Sequence, residues 1–335
     1  MQRQFTVTEY LVRTTRCGLL TLGLAIVSGG IAAQQPNAPT PTSSPKRIVD
    51  LSVIMIDESN HSFDEVQRDQ VQLFEARLPQ PIFSFSKAEL PVDYAIAIDT
   101  SGSFKNLLPY VIEAAKGLIN NQRDEDELFL ERFISTDKIE TVQDFTSDKS
   151  KLLAAMTALR IEDGQSAIID AVYLAVQHVT EHQSKSPRRH ALVLFTDGED
   201  RMSYYTEKQL SELLRISNVQ IFPIGLVGEL SKQSRSPSIQ EKAERLLKHV
   251  AKESGGRVFF PKDTRELGLA MQEVAHDLHI QYRISYESSV DFKENFRTIE
   301  VRINKANGQK LTAVTRPGYY VNPPNLNAKD KKKSN

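Results

Sequence analysis

Three short stretches carry side chains that could do chemistry together. The first, "DYAIAIDTSGSF" at 93–104, runs an apolar strand into Asp99, with Ser101 and Ser103 on either side of Gly102. The second, "DGQSAIID", places Ser166 ahead of a helical pattern, and the third, "FTDGED", places Asp197 after another apolar run. Taken alone, the Asp99 cluster fits a tight turn, a phosphate cradle, an aspartyl nucleophile or half of a metal site. Taken together, the five residues offer two carboxylates and three hydroxyls, with no nitrogen or sulfur. Such a set suits a hard cation, Mg²⁺ or Mn²⁺, in an octahedral site completed by water. Two carboxylates balance one dication, and so few direct charges leave it able to accept a carboxylate from outside. Gly102 is expected to let the loop fold back so that Ser101 and Ser103 face one point.

The elements that must position these residues can be read from the hydrophobic pattern. "VDYAIAID" (92–99) and "HALVLFTDG" are nearly continuous apolar runs, as expected of strands covered on both faces. "FKNLLPYVIEAAKGLINN" sets Leu107, Leu108, Val111, Ile112, Ala115, Leu118 and Ile119 on one helical face. "SAIIDAVYLAVQHVTEH" reads as a helix with Ser166 at its start, where it would also pass as an ordinary N-cap. "ELFLERFIS", "IETVQDF", "VQIFPIGL" and "GRVFFP" read as strands; "DKSKLLAAMTAL", "TEKQLSELLRIS", "SIQEKAERLLKHVAKES" and "TRELGLAMQEVAHDLHI" read as helices. This alternation predicts an α/β fold, a Rossmann-like doubly wound and mostly parallel sheet over residues 92–280. In such sheets ligands bind outside the carboxyl ends of the strands, where Asp99 and Asp197 fall.

The flanks have a different texture. "IVDLSVIMID", "VQLFEA" and "PIFSFS" alternate like strands in 48–91, the last two around a "RLPQ" turn. "QYRISYES", "FRTIEVRIN" and "KLTAVTR" do the same in 281–321, with "NKANGQK" as a hairpin turn. Strand edges seek partners, so the two flanks are expected to pair into one small β domain. Residues 34–47 are a Pro/Ser/Thr linker, and 322–335 read as a disordered tail ending in a lysine run. At the N-terminus, Arg3, Arg13 and Arg16 precede the uncharged "CGLLTLGLAIVSGGIAA". Residues 1–33 therefore read as an export signal cleaved near Ala32 or Ala33, or as an N-terminal anchor through residues 17–33. The chain is expected to be secreted or held in the periplasm or cell envelope. Its only cysteine, Cys17, lies in that segment, so the rest contains no disulfide, thiol nucleophile or cysteinyl zinc site.

Composition narrows the function classes. Lys and Arg total 42 against 43 Asp and Glu, which gives no basic field for nucleic acid. Loss of residues 1–33, with three Arg and one Glu, would move the net charge from −1 to −3. Trp is absent and aromatics make up 7%, which weakens a carbohydrate-stacking role.

Here the sequence resembles the von Willebrand factor type A domain with its metal-ion-dependent adhesion site. That pattern is Asp-x-Ser-x-Ser, then a Thr, then an Asp before Gly; this chain has "DTSGS", "GQSAIIDA" and "FTDGED" in that order. The resemblance covers about residues 92–280 and implies that Asp99, Ser101, Ser103, Ser166 and Asp197 are metal ligands. Ser166 stands where Thr is usual, keeping the hydroxyl but losing the methyl that stiffens its rotamer, which bears on the metal affinity. Phe104 replaces a Met often found after the first motif. "QYRISY", "FRTIEVRI" and "TRPGYY" are similar to the C-terminal strands of bacterial secreted proteins with a related domain and added β segments. The implied function is an adhesion or assembly module without catalysis, its metal taking an Asp or Glu carboxylate from a partner protein.

Two other functions compete with this one. A scaffold would carry the same site unused. A haloacid-dehalogenase-like phosphohydrolase would use Asp99 as nucleophile and Asp197 with Asp200 as its acidic metal loop. Against the enzyme, the second acid expected two residues after the nucleophile is Ser101, the lysine clamp has only loose candidates such as Lys185, and Ser166 is left unexplained. No G-x-S-x-G elbow or P-loop lysine occurs. His178 with His182, and His276 with His279, have helical spacing but no third ligand nearby in sequence, so they read as surface or interhelical histidines. "KSPRRH" (185–190) reads as a solvated basic connection, and the long polar loop 227–238 as a contact region near the site.

Overall fold

The computed structural model describes residues 47–183, 186–227, 237–288, 295–304 and 308–324. In sequence, two β-rich flanks bracket an alternating α/β core. The first flank supplies β1 (Arg47–Ile56), β2 (Val71–Glu75), β3 (Leu78–Gln80) and β4 (Ile82–Ala88). The core runs β5 (Val92–Asp99), α1 (Leu108–Asn120), β6 (Glu127–Ser135), β7 (Lys138–Thr146), α2 (Lys149–Thr157) and α3 (Ile168–Glu181). It continues with β8 (Arg189–Thr196), α4 (Glu207–Ser217), β9 (Val219–Gly225), α5 (Pro237–Ser254) and α6 (Thr264–His279). The second flank supplies β10 (Gln281–Ser288), β11 (Phe296–Ile303), β12 (Thr312–Val314) and β13 (Gly318–Tyr320).

The central sheet has the order β7-β6-β5-β8-β9. β5 runs parallel to both β6 and β8, β8 runs parallel to β9, and only the edge strand β7 is antiparallel. All eight residues of β5 are buried, because each face meets helices. Tyr94, Ile96 and Ile98 join a core with α1, α2 and α6, while Ala95 and Ala97 face α3, α4 and α5. The alanines allow α3 to approach closely, which brings the residues just before that helix over the end of β5.

The flanks pair with each other. β1 and β10 are antiparallel neighbours in the sheet β12-β1-β10-β4, and β11 lies between β13 and β2 in the sheet β13-β11-β2-β3. Both contribute to one core around Val53, Leu73, Ile284, Tyr286 and Ile299. Along β1, Val49, Leu51, Val53 and Met55 alternate into this core, whereas Ile54 packs into the α1 and α6 side of the central sheet.

Four local expectations change. "RLPQ" is not a turn: Leu78–Gln80 pairs with β2, and the reversal occurs at Ala76 and Arg77, both with positive φ (47° and 66°). "GRVFFP" does not form a strand; only Phe259 bridges to Ile224, with main-chain bonds to Pro223 and Gly225. β11 and β12 do not pair as a hairpin, since β12 adds to β1 and β11 adds to β2; residues 305–307 of "NKANGQK" lie outside the described residues. Helix α3 begins at Ile168 with Ala167 at its N-cap, so Ser166 precedes the helix and its hydroxyl serves another group.

Candidate metal centre

The carboxyl end of the central sheet gathers the residues singled out in the sequence. Asp99 ends β5; Ser101 and Ser103 follow in a short 3₁₀ turn at 102–104; Ser166 lies just before α3; Asp197 follows β8. Asp99, Ser101, Ser166 and Asp197 are buried, and Ser103 is partly exposed. The Ser166 hydroxyl donates to Asp99 Oδ2 at 3.0 Å, and its oxygen lies 2.9 Å from Ser101 Oγ. Ser101 Oγ is in turn 3.2 Å from Ser103 Oγ, and the Ser101 amide donates to Asp99 Oδ1 at 3.0 Å. One carboxylate and three hydroxyls from two separate loops therefore converge. Gly102 achieves this without a left-handed backbone, since it is not among the glycines with positive φ.

Asp197 enters the cluster through its charge. Burial first, and the Asp197 carboxylate second, push the Asp99 carboxyl up to about 7, against the hydrogen bonds from Ser101 and Ser166 that favour ionisation. Two carboxylates held in a buried space repel each other, and a divalent cation between them would remove that cost. The donors are all oxygens, the preference of a hard cation. The residues present thus fit such an ion.

Several residues that the sequence reading passed over complete the arrangement. Thr196 donates its hydroxyl to Asp99 Oδ2 at 3.1 Å and accepts from the Gly198 amide at 3.1 Å, linking the two acid-bearing loops. Its signal was a hydroxyl at the last position of a buried strand. Gly198 has φ 81°, and a Cβ there would stand 2.7 Å from Ala243 Cβ, so the turn after Asp197 requires glycine. Asp170, buried in the first turn of α3, accepts from the amides of Tyr204 and Tyr205, both at 2.8 Å. The Arg201 amide donates to the Ser166 carbonyl at 2.9 Å. These bonds lock the 197–205 loop to the start of α3. Asp200, the second acid of the phosphohydrolase alternative, accepts from the Ile169 amide at 3.2 Å and from Ser203 Oγ at 2.5 Å. It serves the helix start, and burial raises its pKa.

The remaining candidates disperse. His178 pairs with Asp144, His182 with Glu127, His276 with Asp64 and His279 with Asp126. Neither spaced pair shares a ligand position. In "KSPRRH", Arg188 bonds Asp93 and Arg189 bonds the carbonyls of Asp277 and Leu278, so both are structural rather than solvated. Lys185 and residues 228–236 of the polar loop lie outside the described residues. No helix among the described residues is long and apolar enough to cross a membrane.

Residues 93–273 match the model of the von Willebrand factor type A domain. A search of curated proteins returned no match. Among solved structures, BatB from Bacteroides thetaiotaomicron is 16% identical with a TM-score of 0.44, over 56% of this chain and 98% of that one. A von Willebrand factor type A protein from Catenulispora acidiphila is 13% identical with a TM-score of 0.46, over 83% and 75% of the two chains. Proximal thread matrix protein 1 from the mussel byssus, solved with zinc in its MIDAS motif, is 18% identical with a TM-score of 0.48, over 61% and 50%.

Proposed function

Since the chain belongs to the von Willebrand factor type A family, we propose that it is an exported adhesion or assembly module, not an enzyme. Domains of this family mediate protein–protein interaction, and the finer reading rests on the Asp99 cluster. Asp99, Ser101, Ser103, Ser166 and Asp197 would hold Mg²⁺ or Mn²⁺. When bound, the ion supplies a Lewis-acid position open to an Asp or Glu carboxylate of a partner protein. The protein's own residues do the rest. Asp99 and Asp197 set the charge; Ser166 and Thr196 fix the orientation of Asp99; Ser103, the most exposed member, stands nearest to solvent. The carrying observation is the buried pair of repelling carboxylates with the hydroxyls of Ser101, Ser103 and Ser166 clustered beside Asp99. Export rests on the N-terminal segment 1–33, with cleavage or anchoring as its two outcomes.

The test is thermal unfolding of the full chain and of Asp99→Ala with Mg²⁺, with Mn²⁺ and with chelator. At a hundredfold excess over Kd, a bound ion adds about 2.7 kcal/mol to wild type. A metal-dependent rise in wild type that Asp99→Ala lacks supports the site. Equal behaviour of the two proteins would leave the scaffold reading, and phosphate-ester turnover abolished by Asp99→Ala would favour the enzyme.

A further inference from the structure

A second group of metal-competent side chains meets at the other end of the central sheet. Asp93, Glu127 and His182 place their ligand atoms all within 4.8 Å of one another. Asp93 is the second residue of β5, Glu127 opens β6, and the two are register partners in the parallel ladder. His182 directly follows α3. Asp93 and Asp99 are six residues apart on one strand, about 20 Å. The two groups are therefore separate. His182 was one of a helix-spaced histidine pair with no third ligand in sequence; the fold supplies two carboxylates from other strands.

We propose that Asp93, Glu127 and His182 form a Zn²⁺ site at the amino end of the central sheet, with a fourth position left to water. One imidazole with two carboxylates is a donor set that zinc accepts, and the nitrogen disfavours Mg²⁺ and Ca²⁺. His182 Nε2 and Glu127 Oε2 are hydrogen-bonded at 2.6 Å, and a cation would take the place of the hydrogen between them. Donor atoms bound to one tetrahedral zinc lie about 3.3 Å apart, so closing the site needs shifts that draw any pair at the 4.8 Å limit together by up to about 1.5 Å and part the 2.6 Å His182–Glu127 pair by about 0.7 Å. Glu127 and His182 can make them, with side chains 39% and 23% exposed. Asp93 stays fixed: it is fully buried, and Arg188 Nε donates to its Oδ1 at 2.5 Å. Phe145, stacked on the His182 ring at 3.9 Å, holds the imidazole plane. The guanidinium that orients the Asp93 carboxylate is an outer contact of the kind metal sites use. Arg188 offsets one of the two carboxylate charges and leaves the other for the cation. His190, the register partner of Asp93 on β8, is held below the ordinary imidazole range chiefly by burial, which disfavours a further positive charge beside the ligands. A bound ion would tie the end of α3 to the first residues of β5 and β6.

The experiment is Zn²⁺ titration of the full chain carrying Asp99→Ala, which silences the first site, followed by Co²⁺ substitution to read the ligand field. The expected result is one equivalent of Zn²⁺ and a tetrahedral Co²⁺ spectrum. Affinity should fall tenfold or more in His182→Ala and in Glu127→Gln on that background. If Asp99→Ala does not fold, the same variants are compared in the wild-type background under saturating Mg²⁺. Absence of saturable Zn²⁺ binding, or binding unchanged within about twofold in His182→Ala, overturns the proposal. Neither outcome touches the reading of the Asp99 cluster.

Discussion

Ser166 donates its hydroxyl to Asp99 Oδ2 at 3.0 Å, although 67 residues separate the two in sequence. That bond joins the end of β5 to the entry of α3, so the hydroxyl both orients the buried carboxylate and stands among the proposed ligands. Where the family pattern has a threonine this chain has a serine, which keeps the hydroxyl without the methyl.

Removing the hydroxyl should therefore act twice. Ser166→Ala removes one donor to Asp99 Oδ2, which keeps Thr196, and should cost the metal-free protein about 1 kcal/mol. It should also weaken Mg²⁺ and Mn²⁺ about tenfold, roughly 1.4 kcal/mol. Ser166→Thr keeps the donor and restricts its rotamer, so it should bind metal at least as tightly as wild type. Calorimetric titration with each ion reads both variants. Unchanged affinity in Ser166→Ala would remove this residue from the ligand set.

Legibility followed how local each signal was. β5 and β8 were readable because strands buried on both faces become continuous apolar runs, and an acid or hydroxyl at the end of such a run stands out. Thr196 and Asp170 were missed because their partners lie far away in sequence: Asp99 is 97 residues from Thr196, and Tyr204 is 34 from Asp170. β3 was mistaken for a turn because the true reversal uses Ala76 and Arg77, non-glycine residues in the left-handed region that give no turn signature. "GRVFFP" has strand composition, yet only Phe259 reaches the sheet edge. The Asp93, Glu127 and His182 group needed strand register, which the sequence does not carry.

Glu131 gives a pH-dependent prediction. It sits buried inside β6, register-paired with Ala97 on β5 and Thr141 on β7, with no partner for its Oε1. Burial raises its pKa well above the usual 4.5. The folded chain therefore holds a proton that the unfolded chain releases. Stability from this group is complete below about pH 4.5 and declines as pH rises toward the folded value. Glu131→Gln cannot ionise and should escape the decline. Melting curves of the two proteins should draw apart as pH is raised from about 4.5 to about 8, with the variant the more stable. Parallel curves would mean that water or a local rearrangement already solvates the carboxylate.

Arg257 should dominate the attachment of the first flank. Its Nη1 donates to Asp277 Oδ2 at 2.5 Å and to Ser62 Oγ at 2.8 Å, and its Nη2 bonds the Asn60 carbonyl. Glu273 lies 3.4 Å away, and the guanidinium packs over the Phe259 ring at 4.9 Å. The loop after β1 is thereby tied to α6 by a cation that is itself buried, facing a fully buried Asp277. Taking away one partner of such a pair leaves an uncompensated charge, so Arg257→Met should lose about 3–5 kcal/mol in urea unfolding. Adding Asp277→Asn removes the fully buried stranded charge and should recover part of that loss, but not all, since the partly buried Glu273 carboxylate still lacks its cation. A loss below about 1 kcal/mol in the single variant would show that water enters the clasp and shares its load. Measured against the metal-dependent shift at Asp99, the double variant also separates the two ends: loosening the flank should lower stability with and without cation alike.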